Sequence, residues 1–202
     1  MKTNQEYKEM ALAALKGNWT PAVLLCLVVL LITSASAATG AFSTAISICV
    51  LMPLTVGVYV AFRDLLHGNA EKMTEKSFKI GFNNWSHNTG GMLLMAVYVF
   101  LWTLLLIVPG VIKSLSYAMT PFILHDKPEL TAKESVELSM EMMEGRKMDL
   151  FLLYLGFLGW ALLCLLTCGI GFLWLEPYVY ATTAAFYEGV KADYESRNVV
   201  VA

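Results

Sequence analysis

Residues Ile107 to Gly145 read IVPGVIKSLSYAMTPFILHDKPELTAKESVELSMEMMEG. Within them a Pro109-Gly110 break leads into a short apolar run rich in polar groups, and that run into a stretch whose charges recur with helical periodicity. Val111 to His125 is the pivotal piece. As an α-helix it rises only about 22 Å at 1.5 Å per residue, against a hydrocarbon core about 30 Å thick. It also contains Lys113, Ser114, Ser116, Tyr117, Thr120 and Pro121. Either this run crosses a bilayer on its own or it continues the preceding helix past a kink, and the topology of everything around it depends on which.

Outward from this stretch the composition is that of a membrane protein. Of 202 residues, 57% are hydrophobic and 15% charged, and the polar residues collect between apolar runs instead of alternating with them as in a soluble fold. Apolar runs are read as spans at residues 20–38, 41–62, 92–108, 111–125, 150–167 and 172–187, with Trp19 at the lipid boundary that indoles favour. The expected fold is all-α: a single integral domain over residues 1–202, with six transmembrane helices arranged as three hairpins and short amphipathic helices at the interface. Pro53 is expected to kink the second span, Arg63 to Asn88 to form a polar segment, and Lys191 to Ala202 to be a polar tail. Ala35-Ser36-Ala37 resembles a signal-peptidase site, but the region before it is long and carries Glu6 and Glu9, unlike a short basic leader.

The basic residues discriminate between the two topologies, because cytoplasmic loops are enriched in Lys and Arg. If 111–125 crosses, both termini and both long loops share one side, and that side holds every Lys and Arg except Lys113. If it does not cross, the basic residues divide about evenly and the rule is lost. Six spans with both ends cytoplasmic follow, and a helix as polar as 111–125 should face other helices.

Thr131 and Glu134 have capping-box spacing, in which each side chain satisfies the other residue's free backbone N–H. Along the helix they start, Glu134, Glu137, Glu141 and Glu144 fall on one arc with Lys133, and apolar residues and serines fill the rest. This acidic stripe must face water, since anionic headgroups repel it. It is a candidate docking face for a basic partner, weighed against a plain solvated surface. Thr3 and Glu6 repeat the same box, with Gly17 placed as Gly145 is, and Pro53 precedes Phe62 by the same interval as Pro177 precedes Phe186. These matches hint at an internal repeat of interfacial helix plus hairpin.

The runs VPGVIKSLSYAMTPFILHDKP, SVELSMEMMEGRKMDLFLL, LGFLGWALL, LTCGIGFLWLEPYVYAT and AAFYE, with the N-terminal LKGNW, resemble the bacterial integral-membrane family catalogued as domain of unknown function 975. The resemblance implies a multi-pass protein of the bacterial cytoplasmic membrane, and brings no activity, substrate or catalytic residue. Glu176 stands where that family is usually apolar.

A search for chemistry finds little. No zincin helix, nucleophile elbow, P-loop or dinucleotide turn occurs, and no Lys/Arg run resembles a nucleic-acid stripe. All four cysteines lie in apolar runs; Cys164 and Cys168 share a helix face, but no His or carboxylate nearby in sequence completes a metal site. His125-Asp126 at the inner boundary is a candidate proton-handling pair, weighed against a water-facing loop start. Intramembrane charge marks Lys113 and Glu176, with Tyr117 and Pro177, as a candidate polar site in which Lys113 and Glu176 pair near the outer turns. The expectation is a non-enzymatic protein without cofactor, structural or accessory in the cell envelope. Its expected partners are membrane lipids and another membrane protein or a second copy, not nucleic acid. The alternative is a transporter or lipid-handling protein.

Overall fold

The computed structural model describes residues 2–167 and 169–201, with the backbone alone for Ala41 and 198–201. The chain forms α1 (Asn4–Leu15), α2 (Trp19–Ala38), α3 (Ser43–Ile46), α4 (Met52–Leu66), α5 (Met73–Asn83), α6 (Trp85–Leu105), α7 (Ile107–Tyr117), α8 (Thr120–Asp126), α9 (Ala132–Met142), α10 (Lys147–Leu166) and α11 (Phe172–Val201), with no strand among the described residues. Among the described residues five helical stretches are long and apolar enough to cross a membrane: Trp19–Ala38, Ser43–Leu66, Trp85–Leu105, Ile107–Asp126 and Lys147–Leu166. The sixth expected span, 172–187, is not among them. It lies within α11, where Glu176, Pro177, Glu188 and several tyrosines dilute the apolar character.

Both capping boxes form. Thr3 Oγ1 accepts the Glu6 N–H at 3.3 Å and Glu6 accepts the Thr3 N–H at 2.6 Å; the corresponding distances at Thr131 and Glu134 are 3.3 and 2.7 Å. Gly17 and Gly145 follow these helices at φ 86° and 74°, left-handed conformations that cost a residue without a Cβ least. The next helices, α2 and α10, each begin at the second residue after that glycine and each run 20 residues. The repeat seen in sequence is thus repeated in helix boundaries.

At the second apolar stretch a π-helical turn, Ser47–Leu51, joins α3 to α4. Pro53 lies just beyond it, at the start of α4, and has no N–H to give the Cys49 carbonyl four residues back. The Trp85 indole donates to that carbonyl at 2.8 Å. A bulged turn beside a proline is an ordinary cause of a helix bend.

Several expected boundaries differ. The segment expected as polar loop contains α5, which lies antiparallel along α4. A Cβ on Gly57 would collide with the Ser77 carbonyl, and one on Gly81 with the Pro53 carbonyl, so small residues on both helices set this close approach. The third apolar helix starts at Trp85, not Met92. Its break falls at Leu106, whose backbone is extended, while Pro109 sits in the first turn of α7, where no N–H is required. The expected polar tail is the last part of α11, helical to Val201.

One core runs through the molecule, drawing Tyr7 and Leu15 from α1, Leu25 from α2, Phe62 from α4, Phe122 from α8, Leu153 from α10 and Phe186 from α11. Apolar side chains left uncovered gather on α2, α6, α7 and α10, among them Leu31, Phe100, Leu104, Val108 and Leu163.

Candidate functional site

Charged side chains from α4, α8 and α11 converge on Asp126. Its Oδ1 accepts from the Arg63 guanidinium at the end of α4. Its Oδ2 accepts from the Tyr187 hydroxyl at 2.8 Å and the Lys191 ammonium at 2.7 Å, both on α11. Glu188 stands 3.9 Å from Arg63, and His125 Nδ1 lies 3.4 Å from Oδ1. The Asp126 and Arg63 side chains each retain only 12% of their exposure. The two cations face two carboxylates, so little net charge is left buried, which is the condition under which a buried ion pair is tolerable. Phe122 stacks on Tyr187 at 4.4 Å and Phe62 on Tyr180 at 5.3 Å, and these rings fix the helices that carry the charges.

A second polar feature is a cavity of about 510 Å³ between α4, α10 and α11. Tyr59, Tyr154, Phe157, Glu176, Tyr180 and Thr183 are among its lining residues. Tyr154 and Thr183 share a hydrogen bond at 3.3 Å. The Glu176 carboxylate forms no ion pair with a described residue. Tyr59 packs edge-on against Tyr180 at 5.1 Å.

The candidate polar site of the sequence divides in two. Lys113 lies with its ammonium 5.1 Å from the Trp102 ring and 6.0 Å from that of Tyr117, cation–π distances. It makes no ion pair with Glu176: the two occupy different places, because α7 turns Lys113 toward α6 while Glu176 and Pro177 ride on α11. His125 and Asp126 are not simply a water-facing loop start, since Asp126 is drawn into the cluster above.

On α9 Glu134, Glu137 and Glu141 are exposed, and the helix ends at Met142, so that Glu144, also exposed, lies in the turn beyond it. Glu137 pairs with Lys133 at 3.5 Å and Glu141 accepts from the Tyr194 hydroxyl at 3.1 Å. The opposite face is sealed into the protein, not left for lipid: Ser135, Val136, Ser139 and Met142 are buried. Ser139 donates to the Ser116 carbonyl at 2.8 Å and accepts from the Met119 N–H at 3.2 Å. One hydroxyl thereby serves two backbone groups where α7 gives way to α8. The paired cysteine reading rests on Cys168, which lies outside the described residues; Cys164 is buried and free. Among the described residues no three His, Cys, Asp or Glu side chains are grouped to hold a metal.

The sequence matches one family model, protein of unknown function (DUF975), over residues 1–116 and 92–194. The chain belongs to the DUF975 family. Those residues include the whole Asp126 cluster and Glu176, so both features lie within the part of the chain that the DUF975 model describes. No curated protein and no solved structure matches the chain.

In this DUF975 member, sequence reasoning missed Arg63, Tyr187 and Lys191 as a set. A signal was present. Arg63, Asp126 and Lys191 each stand at or just beyond the end of an apolar run, and on a topology that brings those ends to one side their opposite charges invite pairing. The Glu176 cavity carried only the lone acidic residue as its signal.

Proposed function

We propose that this protein is a six-span component of the bacterial cytoplasmic membrane, built as three hairpins with both termini cytoplasmic, that acts without catalysis as a structural or accessory element of the cell envelope. The observation that carries the reading is the convergence on Asp126. On the six-span path Arg63, Asp126 and Lys191 stand at the ends of the second, fourth and sixth spans, and their contact supports a path that brings those ends to one side of the bilayer. A path in which 111–125 does not cross would put Arg63 and Asp126 on opposite sides. Clamped there by charge, the bundle presents the acidic face of α9 on a helix whose other face is fixed, a rigid display suited to docking a basic partner.

A photo-crosslinking residue at Glu137 or Glu141, introduced in cells, tests the docking face. The expected result is a discrete protein adduct at both positions that disappears when the crosslinker is moved to Leu152 on the apolar face of α10. Equal adducts at all three positions, or lipid alone at Glu137, would overturn it. The alternative, transport or lipid handling, is favoured by the Glu176 cavity. It calls for a liposome assay in which the purified protein speeds the movement of a solute or a labelled lipid; unchanged rates count against it.

A further inference from the structure

We propose that the cavity around Glu176 is a binding site for an apolar organic cation, a small ammonium carrying hydrophobic substituents. This goes beyond a structural role and implies no transport.

The cavity, about 510 Å³, combines one carboxylate with a wall of aromatic rings. Tyr59, Tyr154, Phe157 and Tyr180 line it; Phe62 stacks on one face of Tyr180 and Lys8 rests over one face of Phe157, and the π surface that remains attracts a cation within about 6 Å of a ring centre, more so when water is excluded. The chain uses this chemistry elsewhere, since Lys113 rests over Trp102 at 5.1 Å. The Glu176 carboxyl has no ion-pair partner among the described residues. Lys8 reaches the Phe157 ring at 4.6 Å but does not pair with Glu176. A carboxylate at membrane depth is costly unless paired, and a cation delivered with its own apolar substituents meets both the charge and the rings.

The lining also discriminates between sources. No Lys, Arg or His is among it. An aminophospholipid head would bring its phosphate against Glu176 with no basic group to receive it, whereas a free organic cation carries no such anion.

The test is isothermal titration of benzyltriethylammonium into the full-length protein in a maltoside detergent. Saturable binding is expected, at least tenfold weaker in Glu176→Gln and in Tyr180→Leu, and nearly unchanged in Tyr180→Phe, which keeps the ring. Each variant is used only after its melting transition is shown to be cooperative. Benzyl tert-butyl ether, a neutral molecule of similar size, should not compete, nor should phosphatidylethanolamine. The proposal is overturned by absence of saturable binding to folded protein, by full affinity in Glu176→Gln, by equal binding of the ether, or by displacement with phosphatidylethanolamine.

Discussion

At the scale of single residues, Asp126 carries the most. Both its oxygens are in use, by Arg63 on one side and by Tyr187 and Lys191 on the other. Removing its charge leaves two cations facing only Glu188. Breaking a buried pair by neutralising one partner costs about 3–5 kcal/mol, because the remaining charge is stranded. Asp126→Asn should therefore lower the melting temperature in detergent sharply, while Lys191→Met, at a partner that keeps 35% exposure, should lower it less. Equal and small effects would show that the cluster is not a clamp. Trp85 illustrates the same logic without charge: its indole takes up the Cys49 carbonyl that Pro53 cannot serve. The partners in either arrangement could not be assigned from sequence position alone, since each joins residues far apart in the chain, although the charges at the ends of the apolar runs were in view. What could be read was the local part, that Pro53 must disturb its helix and that Asp126 is a boundary charge.

At the scale of elements, the helix starts at α1 and α9 were legible to the residue because a capping box needs only four consecutive positions. Glu134 accepts both the Thr131 backbone N–H and its hydroxyl, and these bonds hold its carboxyl below the ordinary 4.5. A carboxylate depressed by folding contributes stability at pH above its unfolded value and loses it as pH falls through the folded one. The first turn of α9 should therefore lose hydrogen-exchange protection below about pH 4.5. Thr131→Ala should produce the same fraying at neutral pH, at about 0.5–2 kcal/mol. Protection unchanged in both cases would mean that Ser135, Val136 and Ser139, buried on the other face, fix the start by packing. By contrast α5 was unreadable. Met73 to Asn83 carries Lys76 and Lys79 and no long apolar run, and what makes it a helix in this place is contact through Gly57, Ser77 and Gly81 with α4.

At the scale of the whole molecule, the all-helical membrane class and the family were visible in composition and in the quoted runs, whereas the extent of the last helix was not. Lys191 to Val201 reads as a polar tail, yet α11 continues through it. Arg146 forks onto Asp193 at 3.0 and 3.2 Å, and Tyr7 of α1 packs edge-on against Phe186 at 5.4 Å, so the helix is held by partners distant in the sequence. The count of spans rests on whether Ile107–Asp126 and the first part of α11 both cross the bilayer, and the clamp at Asp126 ties the ends of those two segments to the end of α4. Single cysteines at Gly40, Leu106 and Gly169, and at Lys76 and Glu137, in a cysteine-free background of intact cells, test this directly. With six spans and both ends inside, an impermeant thiol reagent should label the first three and leave the last two unreacted until the membrane is opened; labelling at Glu137 from outside would contradict the topology and with it the clamp.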